Sequence, residues 1–311
     1  MIVRWGLEEL PPLAGQRPLV VASPRWRGVL DSADRWEEVP SHRIEVPEGV
    51  DTIVAIGGGS AIDTGKAVSA ALGLPLVSIP TTYSGAEWTT GYGMLDEEAR
   101  VKRGGGGAHL AGIVYDEELT LGLPRAESGG TAMNALAHCA EALYVEGRNP
   151  DADREALAGA AAIADALPRV LEDGADRVAR HDLLEGAMHG GAALAGAGLG
   201  LAHALAQAVG GRFGIAHGAA NALCLPPALR FNEPLAREEI ARFAAALGTD
   251  DAPGRVEELA RLAGFERLRD LGVPEDELDE AAAAAVVRPG ARLNPRPATA
   301  DEAAELLRSI W

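Results

Sequence analysis

DTIVAIGGGSAIDTGKA, residues 51–67, is the stretch on which the fold turns. Asp51 to Ile56 is a short apolar, β-branched run with no helical period, which predicts a buried strand. It runs straight into Gly57-Gly58-Gly59-Ser60, and Ala61 to Leu72 then has helix composition. Three glycines let the backbone take positive φ and approach a ligand with no Cβ in the way. The free N–H groups that open the following helix, at the positive end of its dipole, suit a pyrophosphate. Ser60 is placed to cap that helix, with Asp63 three residues on as the reciprocal partner. Taken alone, the same four residues could also close a tight strand-to-helix corner with no ligand.

Working outward, Pro18 to Ala22 (PLVVA) predicts a buried strand closed by Ser23-Pro24. Leu76 to Ile79 (LVSI) predicts another, ended by Pro80-Thr81-Thr82, and Ile113 to Tyr115 (IVY) a further short one. Strands alternating with helices imply parallel pairing in a layered α/β domain. Pro80 to Gly85 (PTTYSG) is then a second loop at the carboxyl edge of the sheet, where ligands of open α/β folds bind. Two such loops, rich in hydroxyls and glycine, favour a ligand. The GxGxxG fingerprint of the common dinucleotide fold is absent, so the nucleotide site is of a different kind. Gly104 to Gly107 predicts a flexible loop.

After about Pro124 the β-branched runs stop. Residues 128–145, 150–172, 180–195, 199–209 and 238–247 read as helices. The expected organisation is an α/β nucleotide-binding domain over residues 1–126 and an all-α catalytic domain over residues 127–311. Within the helical half, Asn134 and His138 are four residues apart and share one helix face, and His203 and Gln207 repeat the spacing. His217 follows in Ala216-His217-Gly218-Ala219, after a break expected at Gly210-Gly211. Three histidines and two amides could form a divalent metal site, since neutral imidazole is a good ligand for zinc or iron. His189 lies in another helix with less context around it.

The bulk numbers narrow the partners. Of 311 residues, 47% are hydrophobic and 24% charged, the profile of a globular protein. The formal net charge of −18 repels phosphate backbones and anionic membranes. Neither nucleic acid nor a membrane surface is therefore expected as a partner, and an anionic small-molecule ligand needs a local cradle of cations or backbone N–H groups. Two cysteines, Cys139 and Cys224, suggest a reducing compartment rather than a disulfide framework, and Cys139 reads as core. The opening MIVRWGLEEL lacks the apolar run of a signal peptide, and no stretch has the length of an apolar span. A cytoplasmic location is expected.

Together DTIVAIGGGSAIDTGKA, IPTTYSGAEWT, the paired helical positions and His217-Gly218 resemble the iron-containing alcohol dehydrogenase superfamily. YDEELTLGLP (115–124), MNALAHCAEALY (133–144) and Asn294-Pro295-Arg296-Pro297 are most similar to its maleylacetate reductase branch. The resemblance runs from about Pro18 to Pro297. It implies the fold of iron-containing alcohol dehydrogenases and dehydroquinate synthases. It also implies NADH or NADPH held by Gly57, Gly58, Gly59, Ser60, Thr81, Thr82 and Ser84, with Asp63 and Lys102 nearby, and a homodimer. Metal-dependent members hold Fe2+ or Zn2+ with one aspartate and three histidines, and the matching positions here are Asn134, His138, His203 and His217. Asn134 offers a neutral oxygen in place of a carboxylate, so no metal is favoured. If one binds, its ligands are His138, His203 and His217.

A second departure is Gln207, where the family usually has a histidine that carries a proton. Glutamine cannot titrate, which leaves His138, His203 and His217 as proton donors. Without a metal, imidazolium and Arg or Lys side chains would polarise the carbonyl and bind carboxylates. Arg292, just before NPRP, is either an anion anchor or a surface residue. The first strand ends at Ser23, where an acid would select NADH, and Arg25 is close, so both coenzymes stay open. The expected activity is reduction of a small anionic keto or enol substrate, maleylacetate-like, in a cleft between the domains. The alternatives are a metal-dependent alcohol dehydrogenase, a non-redox enzyme on the same fold, and a binding or scaffold protein.

Overall fold

The computed structural model describes residues 1–31, 33–40, 45–96 and 101–311, and the chain divides into two units, Met1–Gly122 and Leu123–Trp311. In the first unit the strands are β1 (Ile2–Trp5), β2 (Pro18–Ala22), β3 (Asp34–Trp36), β4 (Thr52–Gly57), β5 (Pro75–Pro80), β6 (Tyr92–Asp96), β7 (Val101–Gly105) and β8 (His109–Tyr115), and helix α1 (Gly59–Leu72) follows β4. Six of them form one sheet in the order β1-β8-β5-β4-β2-β3, with every pairing parallel. β6 and β7 pair antiparallel as a separate ribbon.

The continuous apolar runs arise because both faces of this sheet are covered. Alternate residues enter opposite layers. Val20, Ala22, Val54, Ile56, Val77, Ile79 and Val114 pack with Leu7, Leu10 and Leu13 of the N-terminal segment. Leu19, Val21, Ile53, Ala55 and Leu76 pack with Ile62 and Val68 of α1. Register then aligns the carboxyl ends of the strands. Ala22 pairs with Ile56, and Gly57 pairs with Pro80. Ser23, the glycine turn and the Pro80–Gly85 loop therefore leave the sheet side by side.

Some elements differ from the expectation. β1 and β3 are short and carry charged residues (IVRW and DRW), so neither shows a strand signal in sequence. The Gly104–Gly107 run is not wholly loop: Gly104 and Gly105 end β7, opposite Gly93 and Tyr92. A ribbon strand on backbone pairing alone needs no apolar side chains, which is why its glycines read as loop.

The second unit contains α2 (Arg125–Ala142), α3 (Pro150–Glu172), α4 (Arg177–Ala197), α5 (Leu201–Phe213), α6 (His217–Asn232), α7 (Arg237–Ala246), α8 (Ala252–Leu262), α9 (Leu278–Val286), α10 (Pro289–Leu293) and α11 (Ala300–Ser309). Starts are marked by side-chain caps: Asn149 accepts from Ala152 N at 3.0 Å and Asp176 from Ala179 N at 3.0 Å, while Thr299 and Glu302 form a capping box. α2 is buried from Ser128 to Ala142 except Thr131, and packs on α3, α4 and α6. A helix covered all round is the central one of its bundle. α5 continues through Gly210-Gly211 and ends at Phe213, with Gly214 as its cap. Among the described residues no single helix is long and apolar enough to cross a membrane.

Candidate active site

In the first unit the β4–α1 turn has the geometry its glycines predict. Gly57 has φ 147°, a region closed to side chains, and a Cβ there would stand 2.8 Å from Ala61 Cβ. The helix starts two residues earlier than expected. Gly58 is its N-cap with no side-chain hydrogen bond, and Ser60 lies inside the first turn, where its carbonyl accepts from Thr64 Oγ1 at 2.8 Å. The Ser60–Asp63 capping pair therefore does not form. Asp63 Oδ2 instead accepts from Gly93 N–H at 2.9 Å, and its Oδ1 faces Lys66 Nζ at 3.3 Å. Because no side chain caps the helix, its first N–H groups stay available to an outside acceptor. A pocket of about 200 Å³ opens there, lined by Ser23, Arg25, Trp26, Val39 and residues 56–61.

The second loop joins this turn. Thr81 N–H donates to Gly57 O at 3.0 Å, and Ser84 Oγ lies beside Gly59, 3.7 Å from where a Cβ would stand. Thr81 and Thr82 are buried, and among the described residues their hydroxyls have no partner. Buried hydroxyls of that kind imply a polar group from outside the chain. Lys66, which the motif reading passed over, is fully buried and donates to Gly91 O at 2.8 Å and Thr89 Oγ1 at 3.1 Å, fixing the far end of the loop. Tyr115 OH donates to Glu87 Oε1 at 2.7 Å and accepts from Trp88 Nε1 at 2.8 Å, and burial pushes the Glu87 carboxyl up. Lys102 stands in β7 opposite Leu95, and its side chain lies outside the described residues.

In the second unit Asn134, His138, His203 and His217 come together. The His138 and His203 rings stack with centroids 4.7 Å apart and planes at 14°, and His217 lies 5.7 Å from His203. Asn134 Oδ1 stands 3.3 Å from His203 Nε2, and Asn134 Nδ2 stands 3.4 Å from His138 Nε2. Helix spacing supplies the first pair from α2, the second histidine from α5 and the third from the opening of α6. Asn134, His138 and His203 are buried, whereas His217 is exposed. Burial, with the charges of His203 and His217 as lesser causes, holds the His138 imidazole well below the usual histidine range. Burial thus favours the neutral imidazole at His138.

Two members of this cluster went unseen in the sequence. Glu141 is fully buried and accepts from His203 Nδ1 at 2.7 Å, from Gly200 N at 2.7 Å and from His203 N at 3.2 Å. The carboxylate fixes Nδ1 as the protonated nitrogen and turns Nε2 towards Asn134. Its one trace in the sequence is spacing, three residues after His138 on the same face of α2, which does not by itself separate a buried carboxylate from a solvated one. Asn221, also fully buried, donates through Nδ2 to Asn134 Oδ1 at 2.7 Å and stands 3.1 Å from His217 Nε2. It lies four residues after His217, the spacing already used for the other pairs.

The remaining candidates separate. Gln207 lies one turn after His203 and accepts through Oε1 from Arg288 Nη1 at 3.3 Å. Arg292 is exposed. Asn294 of the NPRP run exchanges hydrogen bonds with Asn232 at 2.6 and 2.9 Å and accepts from Leu201 N–H at 3.4 Å, so it pins the C-terminal segment to α6 and the start of α5. His189 pairs with Glu155 at 2.6 Å and is not part of the histidine cluster.

Comparison with known proteins agrees with both halves of this arrangement. The iron-containing alcohol dehydrogenase family pattern matches residues 43–111, and its C-terminal counterpart matches residues 129–311. Maleylacetate reductase of Burkholderia cepacia is 41% identical over 85% of this chain and 74% of its own length. Maleylacetate reductase 1 of Rhodococcus opacus is 33% identical over 98% of this chain and 90% of its own. The crystal structure of maleylacetate reductase from Agrobacterium tumefaciens superposes with a TM-score of 0.88 at 31% identity, covering 100% of this chain and 95% of that one. The chain belongs to the iron-containing alcohol dehydrogenase superfamily, in its maleylacetate reductase branch, and is an NAD(P)-dependent oxidoreductase.

Proposed function

We propose that the chain reduces a small anionic keto or enol substrate, maleylacetate or a close analogue, with NADH or NADPH and without a resident metal. The observation that carries this reading is Asn134 at the centre of the histidine cluster. Asn134 puts a neutral amide where metal-dependent relatives place a carboxylate, and Asn221 already donates to its oxygen. The same Asn221 nitrogen faces His217 Nε2. The direct donors are therefore imidazoles and a hydrogen-bonded amide, and the one carboxylate described beside them, Glu141, is committed to His203 Nδ1 and to backbone N–H groups, so the set does not fit a divalent ion.

The coenzyme fits the first unit. Gly57, Gly58, Gly59 and Ser60 would cradle its diphosphate, and the unpartnered hydroxyls of Thr81 and Thr82, with Ser84 and Asp63, would meet its polar groups. Arg25, 4.7 Å over the Trp26 ring, and Ser23 line the same pocket. A serine in place of an acid there admits a 2′-phosphate, which supports use of NADPH as well as NADH. The reduced nicotinamide supplies a hydride.

The second unit would hold the substrate and move the proton. Hydride adds to a carbonyl carbon or conjugated double bond, and a proton is taken up at the partner atom. His203, oriented by Glu141, and exposed His217 are the groups left to donate it, since His138 stays neutral and Gln207 cannot titrate. Donors around the cluster would polarise the carbonyl in the place of a metal.

The test is steady-state turnover of maleylacetate by protein dialysed against a chelator, with metal content measured alongside. Full activity at substoichiometric metal supports the reading. Activity that disappears on chelation and returns with iron or zinc overturns it.

A further inference from the structure

Arg288 has an environment that the chain itself does not account for. It follows α9 and precedes α10, and its guanidinium is half-buried beside Gln207. Its two acceptors are neutral oxygens at long range: Gln207 Oε1 at 3.3 Å and Gln207 O at 3.4 Å. Its Nε is buried with no partner, and among the described residues no carboxylate pairs with it. Other arginines of this unit show the contrast, since Arg212, Arg230 and Arg242 each reach a carboxylate. A half-covered cation left without an anion has lost hydration that nothing in the chain returns. In a chain of net charge −18 such an arginine is the uncommon case.

Its placement ties it to the histidine cluster. Gln207 is one helical turn after His203 on α5, so Arg288 rests on the helix that carries the central imidazole. The segment bearing it is held at both ends. α9 packs on α5, and Gly290 of α10 lies so close to Gly200 O that a Cβ there would stand 2.6 Å from it. Asn294 then closes the segment against Asn232. A guanidinium can only donate, so Gln207 must turn its oxygen to Arg288 and its NH2 away. A planar fork and an adjacent amide donor form a set suited to a carboxylate.

We propose that Arg288, assisted by the Gln207 amide, binds a carboxylate of the substrate and selects a carboxylated substrate over neutral carbonyl compounds. This rests on the reductase reading above. It assigns the anion anchor to Arg288 and leaves Arg292 as a surface residue. It also accounts for Gln207: a histidine at that position would compete with the guanidinium for its charge, whereas glutamine accepts from it without titrating.

The experiment compares wild type with Arg288→Met, which keeps the apolar stem, and Arg288→Lys, which keeps the charge without the fork. Maleylacetate is the substrate, its dimethyl ester the neutral control and succinate the dead-end ligand. The loss of a charged, forked hydrogen bond predicts that Arg288→Met raises KM for maleylacetate and Kd for succinate about 10- to 100-fold. Arg288→Lys falls in between, kcat changes far less, and KM for the ester, coenzyme Kd and thermal midpoint hold. Unchanged maleylacetate KM and succinate Kd in a folded Arg288→Met variant overturn the anchor while leaving the reductase reading intact. If wild type turns over no maleylacetate yet succinate binding still depends on Arg288, the anchor stands and the reductase reading falls. A loss of thermal stability in both variants, with succinate affinity unchanged, marks a structural arginine and overturns the proposal.

Discussion

Glu141 is the residue on which the histidine cluster depends most. It is a fully buried carboxylate whose three acceptor contacts hold the His203 ring, the His203 backbone and the Gly200 backbone in one arrangement. Glu141→Gln keeps the shape but offers one of its two positions as a donor, which opposes an N–H group. By analogy with carboxylate–histidine pairs elsewhere, kcat is expected to fall about 10²- to 10⁴-fold, with coenzyme affinity unchanged and the pH profile shifted. Steady-state rates across pH measure this, and a merely structural role would leave the profile in place. His138 makes a second prediction, about stability. Its folded value is depressed below the ordinary 6.5, so the unfolded chain takes up a proton that the folded chain refuses. Its contribution is whole above the unfolded chain's 6.5 and is lost progressively as pH falls below it. Denaturant melts from pH 8 to 5 should show wild type and His138→Gln running parallel above pH 6.5 and wild type losing stability more steeply below it, by at most about 1.4 kcal/mol per pH unit. The histidines and Asn134 were legible in the sequence because helical spacing groups them. Glu141 was not, since a glutamate among alanines reads as a solvated face, and the pairing of Arg288 with Gln207 spans a sequence distance no local pattern bridges.

At the scale of elements, the β4–α1 turn is where sequence and geometry agree most closely. Gly57→Ala would force a side chain into φ 147° against Ala61, costing about 1–3 kcal/mol. Gly73→Ala, at the far end of the same helix with φ 69° and open space around it, is the control. Both variants should lower the thermal midpoint, but only Gly57→Ala should also weaken coenzyme binding. Equal affinity in the two variants would show that the turn is only a corner. β2, β4 and β5 could be read because both of their faces are buried and their runs are unbroken. β1 and β3 could not, because short strands bearing charged residues are recognised only by what they pair with. α6 was hidden for another reason: Pro226-Pro227 lies inside it, and the proline signal for a helix end is overridden by packing on α2, α5 and α8. Ser60 shows the same limit at finer scale, since a helix that starts at Gly59 turns an expected cap into an interior residue.

For the whole molecule the governing constraint is charge. A chain of net charge −18 must bind an anionic coenzyme and, on the proposed reading, an anionic substrate. The two units offer different means: uncapped helix N–H groups and buried hydroxyls in the first, imidazoles and a guanidinium that meets only neutral oxygens among the described residues in the second. Fixed local donors of this kind tolerate an acidic surface better than a broad basic field would. The fold class and the two loops at the carboxyl edge of the sheet could be inferred from sequence, because glycine, proline and β-branched residues mark them. The chemistry of the second unit could be inferred only in part, because buried partners give the histidines their roles. Titration of the pure protein with NADH and NADPH, followed by tryptophan fluorescence or calorimetry, tests most directly whether this chain works with a nicotinamide coenzyme. Saturable one-to-one binding of at least one coenzyme, weakened by Gly57→Ala, is the predicted result; no binding of either at millimolar concentration would contradict the account.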